Sequence, residues 1–273
     1  MAAHYPAGLD KAQSVRGRAS MGKLEGKVAI VTGASQGSGY GAARAMAREG
    51  AAVVLVSRTR AKLEEVAREI EAAGGKALAY PCDVTDRPAL EAMVTEAAAR
   101  YGRIDVLVNA AQSPVIRTAP LAEISDEDVS ELWESGAVAT LALMRAVRPH
   151  MIAAGGGSIV NFASGAVHNP QFYGVYAGVK AAIQAISRAA AIEWAKERIR
   201  VNVVFPMSQS PAADADFALE EGRAEKVAKG IPLGRVGDPV EDIGNPIAFL
   251  ASEEARFITG TTVALTGGMT YLR

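Results

Sequence analysis

Seven short apolar runs alternate with helical stretches along nearly the whole chain, and no other feature limits its fold so tightly. The runs are Lys27–Thr32, Ala52–Ser57, Lys76–Tyr80, Ile104–Asn109, Ser158–Ala163, Arg200–Phe205 and Thr262–Thr266. A strand with one wet face would alternate apolar and polar residues, whereas most of these runs are apolar on both faces and need cover on each. The intervening segments at 61–73, about Asp86 to Tyr101, Ser125 to His150 and Pro239 to about Ser252 carry a helical rhythm. Ser125 with Asp128 three residues later resembles a helix-capping pair. Strand–helix alternation with doubly covered strands predicts an α/β fold, a parallel doubly wound sheet with helices on both faces.

A chain of 273 residues, 49% hydrophobic, suits one such domain with a substantial core. Its net charge of −1 gives no electrostatic case for nucleic acid or an acidic membrane surface. The lone Cys82 excludes an internal disulfide and a cysteine-built metal site, and His4, His150 and His168 show no ligand spacing, so no metal is expected. No apolar run approaches the ~18 residues of a membrane span. The start of the chain lacks the apolar segment of a secretory signal. Residues 1–22 are therefore expected to be a flexible tail, residues 23–273 one folded domain, and the protein cytoplasmic. Residues 207–235 contain no strand, and so long an excursion reads as a lid.

In a doubly wound sheet, ligands bind beyond the carboxyl ends of the strands, so residues there carry the functional expectation. The first run leads into Gly33-Ala-Ser35-Gln36-Gly37-Ser38-Gly39 and then an alanine-rich helix. Glycines let backbone approach a pyrophosphate, and a helix N-terminus offers free N–H donors and positive dipole, so this turn predicts a dinucleotide site. The second run ends in Ser57-Arg58 where an acidic residue would grip the ribose 2′-hydroxyl of NAD. A hydroxyl and a guanidinium instead suit a 2′-phosphate, which favours NADP(H) over NAD(H). Asp83, Val84, Asn109 and Pro206 fall at the ends of further strands.

Ser164 follows the fifth run, and Tyr176 and Lys180 stand four apart at the head of an apolar-periodic helix. That spacing puts the phenol and the ammonium on one face. A nearby cation and the helix N-terminus both favour the phenolate, whose unperturbed pKa of about 10 is too high for neutral acid–base work. Alone, the pair fits a surface face of an amphipathic helix better than a site. Its place at the same strand edge as the glycine turn argues for a site.

Together, Thr32-Gly33-x-x-x-Gly37-x-Gly39, Asp83-Val84, Asn109 in Val-Asn-Ala-Ala, Ser164 and Tyr176-x-x-x-Lys180 resemble the short-chain dehydrogenase/reductase family, from about Lys23 to Met269. The resemblance implies a single-domain Rossmann-type fold and a nicotinamide cofactor. It implies Tyr176 as general acid/base, Ser164 orienting a substrate carbonyl, and Lys180 binding the nicotinamide ribose. The expected cofactor contacts are Gly33, Ser35, Gln36, Gly37, Ser38, Gly39, Ser57, Arg58, Asp83, Val84, Asn109, Tyr176, Lys180 and Pro206. A homotetramer or homodimer is implied too, with helices near 125–154 and 174–196 at one interface.

The chain departs from the family pattern at the nicotinamide end. Gln112 stands where a glycine is usual, Gly136 where a helical asparagine is usual, Met207 where a glycine follows Pro206, and Thr266 where an aspartate precedes Gly267-Gly268. Gln112 and Met207 are expected to reshape the pocket, while Gly136 keeps its carbonyl and permits a helix kink. Val167, His168, Phe172, Tyr173, Met207 and Phe217 are expected to bound a mostly apolar substrate site. The expected activity interconverts a secondary alcohol and an uncharged, fairly hydrophobic ketone. The alternative is a cofactor-binding protein of the same fold with little or no turnover.

Overall fold

The computed structural model describes residues 22–113, 118–210, 213–214, 218 and 222–270. The tail at 1–21, Phe217 and parts of the expected lid lie outside the described residues. The strands are β1 (Val28–Thr32), β2 (Ala52–Ser57), β3 (Lys76–Pro81), β4 (Val106–Asn109), β5 (Gly157–Phe162), β6 (Ile199–Pro206) and β7 (Thr262–Leu265). They form one seven-stranded sheet in the order β3-β2-β1-β4-β5-β6-β7, every neighbouring pair parallel. The winding reverses between β1 and β4, where Thr32 pairs with Asn109. A crevice opens beyond the carboxyl ends at such a reversal.

Successive side chains of a strand point to opposite faces, and the sheet has a core on each. On one face Ala29, Val31, Val53, Leu55, Val106 and Val108 pack with α1 (Gly37–Arg48), α2 (Arg60–Ala72) and the helix Asn245–Ala251, labelled α8. On the other, Ile30, Val54, Val56, Leu107 and Ile159 pack with α3 (Arg87–Tyr101), α5 (Ala139–Ala153) and α6 (Gly174–Glu193). This double cover is why β1 and β4 are buried at every residue. Removing a core side chain such as Leu107 to alanine would cost roughly 2–5 kcal/mol.

The expected helix from Ser125 to His150 forms as one helical run with a widened turn inside it. Ser125 Oγ accepts from Asp128 N at 3.1 Å and starts α4 (Asp126–Trp133), which passes through a π-helical segment, Glu134–Val138, before α5. A Cβ on Gly136 would lie 2.4 Å from Val179 Cγ1. The glycine thus lets the widened turn press against α6. Among the described residues, the stretch after β6 carries the helix α7 (Arg223–Gly230), and Ser208 bridges to Gly237. Among the described residues no helix is long and apolar enough to cross a membrane.

Candidate active site

The glycine turn is built by close backbone approach at the reversal point. Thr32 Oγ1 accepts from Ala110 N and Ala111 N, each at 3.1 Å, tying the turn after β1 to the loop after β4. Gly33 has φ 68, and a Cβ there would come within 3.0 Å of Ala110 C and Ala111 N. A Cβ on Gly39 would sit 2.3 Å from Gly33 O, so only glycine closes this turn. Gln36 precedes α1 without a side-chain capping bond, which leaves first-turn N–H groups to face a ligand. Ser35 and Ser38 are half-buried in the same turn.

The chain beyond β6 folds over this turn. Ser38 Oγ and Ser208 Oγ are 2.8 Å apart, and a Cβ on Gly37 would meet Ser210 Cβ at 3.1 Å. Sequence reasoning missed Ser208 and Ser210; the Ser-x-Ser that follows Pro206-Met207 was the available signal.

Further along the edge, Ser57 Oγ is buried at the end of β2 with no hydrogen-bond partner. Arg58 follows it, exposed. The Asp83 carboxyl is held below its usual range by Thr85 N and the Thr85 hydroxyl, both bonding to Oδ1, with Arg58 contributing. Val84 is buried beside it. At the end of β4, Asn109 Nδ2 donates to Asn161 Oδ1 at 2.8 Å, and Asn161 Nδ2 in turn donates to Ser187 Oγ at 2.9 Å. Asn109 Oδ1 is buried and unpaired.

Ser164, Tyr176 and Lys180 come together as the spacing predicts. Ser164 follows β5, and its Oγ accepts from Ala166 N at 3.2 Å while standing beside the Tyr176 phenol. Tyr176 lies in the first turn of α6. Lys180 Nζ lies 5.4 Å from the centre of the Tyr176 ring and donates to Phe162 O at 3.2 Å.

The expected electrostatics need correcting. Burial pushes the Tyr176 phenol above its usual range, with Ser164 pulling it down and Tyr173 adding to the rise. Burial also pushes the Lys180 ammonium down to about 8. An ammonium that loses its proton before the phenol does cannot stabilise the phenolate by charge. In the free protein Tyr176 is a neutral acid.

Of the departures, Gln112 is placed differently from expectation. Gln112 does not reach toward the glycine turn. Its Nε2 donates to Leu132 O and Ser135 Oγ, each at 3.1 Å, so the side chain is turned into the helices. Met207 lines a cavity of about 420 Å³ with Pro232, Leu233, Arg235 and the 264–268 segment. Thr266 Oγ1 accepts from Thr270 N at 3.2 Å. His168 packs its ring 5.8 Å from that of Phe205. Phe172 and Tyr173 are exposed on the loop before α6, and Phe172 has φ 63, a conformation that strains a bulky side chain.

A family model described as enoyl-(acyl carrier protein) reductase matches residues 33–270. An uncharacterised oxidoreductase of Methylorubrum extorquens is 41% identical over 91% of this chain and all of its own length. A 12alpha-hydroxysteroid dehydrogenase of Clostridium sp. is 40% identical, covering 91% of this chain and 98% of its own. A solved structure of a short-chain dehydrogenase/reductase from Burkholderia xenovorans superposes with TM-score 0.83 at 35% identity, covering 91% of this chain and 98% of its own. The chain belongs to the short-chain dehydrogenase/reductase family.

Short-chain dehydrogenases/reductases are oxidoreductases that bind a nicotinamide cofactor, and the residues present fit that group. The glycine turn is closed by backbone that a Cβ at Gly33 or Gly39 would strike, and its helix N-terminus carries no side-chain cap. Ser57 Oγ and Asn109 Oδ1 are buried polar atoms left unpaired along the same edge. Burying a polar atom without a partner costs about 1–3 kcal/mol, a penalty a bound ligand's donors would offset.

Proposed function

We propose that this chain is an NADP(H)-dependent oxidoreductase that interconverts a secondary alcohol and an uncharged, fairly hydrophobic ketone. The observation that carries this reading is the convergence of Ser164, Tyr176 and buried Lys180 beyond β5, on the edge that holds the glycine turn. When bound, the nicotinamide supplies or accepts the hydride at the carbinol carbon. Tyr176, kept neutral by burial, gives its hydroxyl proton to the ketone oxygen in the reductive direction. Ser164, beside the phenol, donates to the same oxygen as negative charge develops there. Lys180 serves as a ribose ligand whose ammonium, once hydrogen-bonded there, aids the phenolate in the oxidative direction.

The cofactor assignment rests on Ser57 and Arg58 at the end of β2, where no acidic residue stands. Arg58→Ala should weaken NADPH far more than NADH, by about 1.5–3 kcal/mol less screening at this exposed site. Equal affinity of the wild type for both cofactors would remove the basis for the assignment.

The substrate reading draws on the apolar surroundings of the site and on the hydroxysteroid dehydrogenase relative, whose name denotes a cyclic secondary alcohol. A series of apolar cyclic ketones should show kcat/KM rising by under about 0.8 kcal/mol per buried methylene. Preference for an acyl-carrier-linked, CoA-linked or phosphorylated substrate would sink it. The rival reading, a binding protein with weak or no turnover, leaned on Gln112, Gly136 and Met207, and of these the Gln112 side chain is turned away into the helices.

Assembly as a homotetramer or homodimer completes the reading. Ile152 on α5 and Ile192 on α6 are 43% and 79% exposed, an apolar surface that a second copy would cover. Sedimentation analysis giving a monomer at micromolar concentration would count against it.

A further inference from the structure

Gln112 and Gly136 occupy each other's space. A Cβ on Gly136 would lie 2.8 Å from Gln112 Oε1 as well as 2.4 Å from Val179 Cγ1, so a side chain at 136 would force the Gln112 carboxamide to shift. A π turn widens a helix and reroutes its backbone bonds. The carbonyl of Leu132, just before that turn, accepts from Gln112 Nε2, as does Ser135 Oγ within it. Ser135 Oγ also accepts from Ser113 N at 3.1 Å and donates to Glu131 O at 2.7 Å. The loop after β4 is thereby stitched to the π segment.

What lies beyond the stitch is the catalytic helix. Leu132, just before the π segment, and Ala137, within it, form one small core with Val179 and Ile183 of α6, and Tyr176 packs against it. Val179 precedes Lys180 in the chain. Gln112 Oε1 is buried with no partner, beside this core. A clip that merely anchored the loop would have no use for a buried, unpaired acceptor, which carries a standing penalty.

Resting on the oxidoreductase reading above, we propose that Gln112 is a positioning residue for Tyr176 and Lys180, with Gly136 as its receptacle. Its nitrogen fixes the π segment against α6, and its oxygen is held unpaired against Gly136, beside the small core on which Tyr176 packs. Gln112 gains and loses no proton in this role. It sets where α6 holds the phenol and ammonium relative to the substrate.

Three variants test this in the full chain. Gln112→Met keeps the length and bulk of the side chain and removes the amide. It should lower kcat by roughly tenfold or more, with KM for ketone and Kd for NADPH changed by less than about threefold, since the loss falls on transition-state geometry. Gly136→Ala should lower the melting temperature in the wild-type background. In Gln112→Ala, where the Oε1 contact is gone, the same change should cost a few degrees less, the signature of two sites sharing one space. Gln112→Met with kcat within twofold of wild type would overturn the positioning role. So would a kcat loss matched by an equal rise in KM. Additive stability effects at 112 and 136 would overturn the receptacle. A wild type without turnover on any ketone would instead defeat the oxidoreductase reading, and the stability coupling would still decide the geometry.

Discussion

Lys180→Met should make the free protein more stable at neutral pH, although it removes a residue of the site. Lys180 is wholly buried, and burial pushes its ammonium from 10.5 down to about 8. Below about pH 8 both folded and unfolded chains carry the proton, and the folded state bears the full penalty of holding a charge there. Between about 8 and 10.5 the unfolded chain binds more protons, so wild-type stability rises with pH through that window. The fall from 10.5 to about 8, at about 1.36 kcal/mol per pH step, corresponds to roughly 3 kcal/mol. Methionine keeps the bulk and forfeits the bond to Phe162 O, worth about 1 kcal/mol. The net gain at pH 7 is therefore about 2 kcal/mol, or roughly 4–8 °C in melting temperature for a domain of this size. Urea denaturation without cofactor at pH 7 and pH 9.5 measures it. The gain should shrink toward zero at the higher pH. A methionine variant less stable than wild type at pH 7, or a difference that is flat across the window, would refute the reasoning.

The other outcomes are checked more simply. Tyr176→Phe should lower turnover by about 10²–10⁴-fold, the usual worth of a general acid, while NADPH titration shows nearly unchanged affinity. Ser57→Ala removes a buried, unpaired hydroxyl, so the free protein should melt no lower than wild type, while the Kd for NADPH rises about tenfold or more and that for NADH moves less. Phe172→Gly should relieve backbone strain at φ 63, raising stability by about 1 kcal/mol, while KM for an apolar ketone rises because an aromatic wall is lost. Comparing melting curves with and without substrate separates the two effects.

The sheet was legible because its strands are buried on both faces and so are apolar without alternation, as in Val28–Thr32 and Val106–Asn109. The edge that gathers the site followed from the order of those strands. Gly136 was expected to permit a kink, but its form, a π segment at Glu134–Val138, was not legible, because the close approach of Val179 on α6 comes from far away in sequence. Spacing likewise put Tyr176 and Lys180 on one face but could not say how deeply. Depth is what raises the phenol and depresses the ammonium, reversing the expected charge effect. Gln112 was read as reshaping the pocket because the resemblance puts a glycine at that position. Its partners, Leu132 and Ser135, are twenty or more residues away.

The unpaired buried atoms tie these threads together. Among the described residues they are Ser57 Oγ, Asn109 Oδ1 and Gln112 Oε1. Ser57 and Asn109 are the last residues of β2 and β4, and Gln112 follows three later, so all stand beyond the carboxyl edge of the sheet. The opposite edge has its polar groups matched: Asp105, entering β4, accepts from Val28 N at 3.0 Å and pairs with Arg103 and Lys27. Each unpaired atom costs about 1–3 kcal/mol, and the buried ammonium of Lys180 adds to that sum. Errors of packing would scatter across a fold of this size. Gln112 Oε1 is turned away into the helices, but the penalties at Ser57 and Asn109 fall at strand ends on the edge of the glycine turn and the buried phenol, as on a surface whose hydrogen-bonding groups are held in place before a polar ligand arrives.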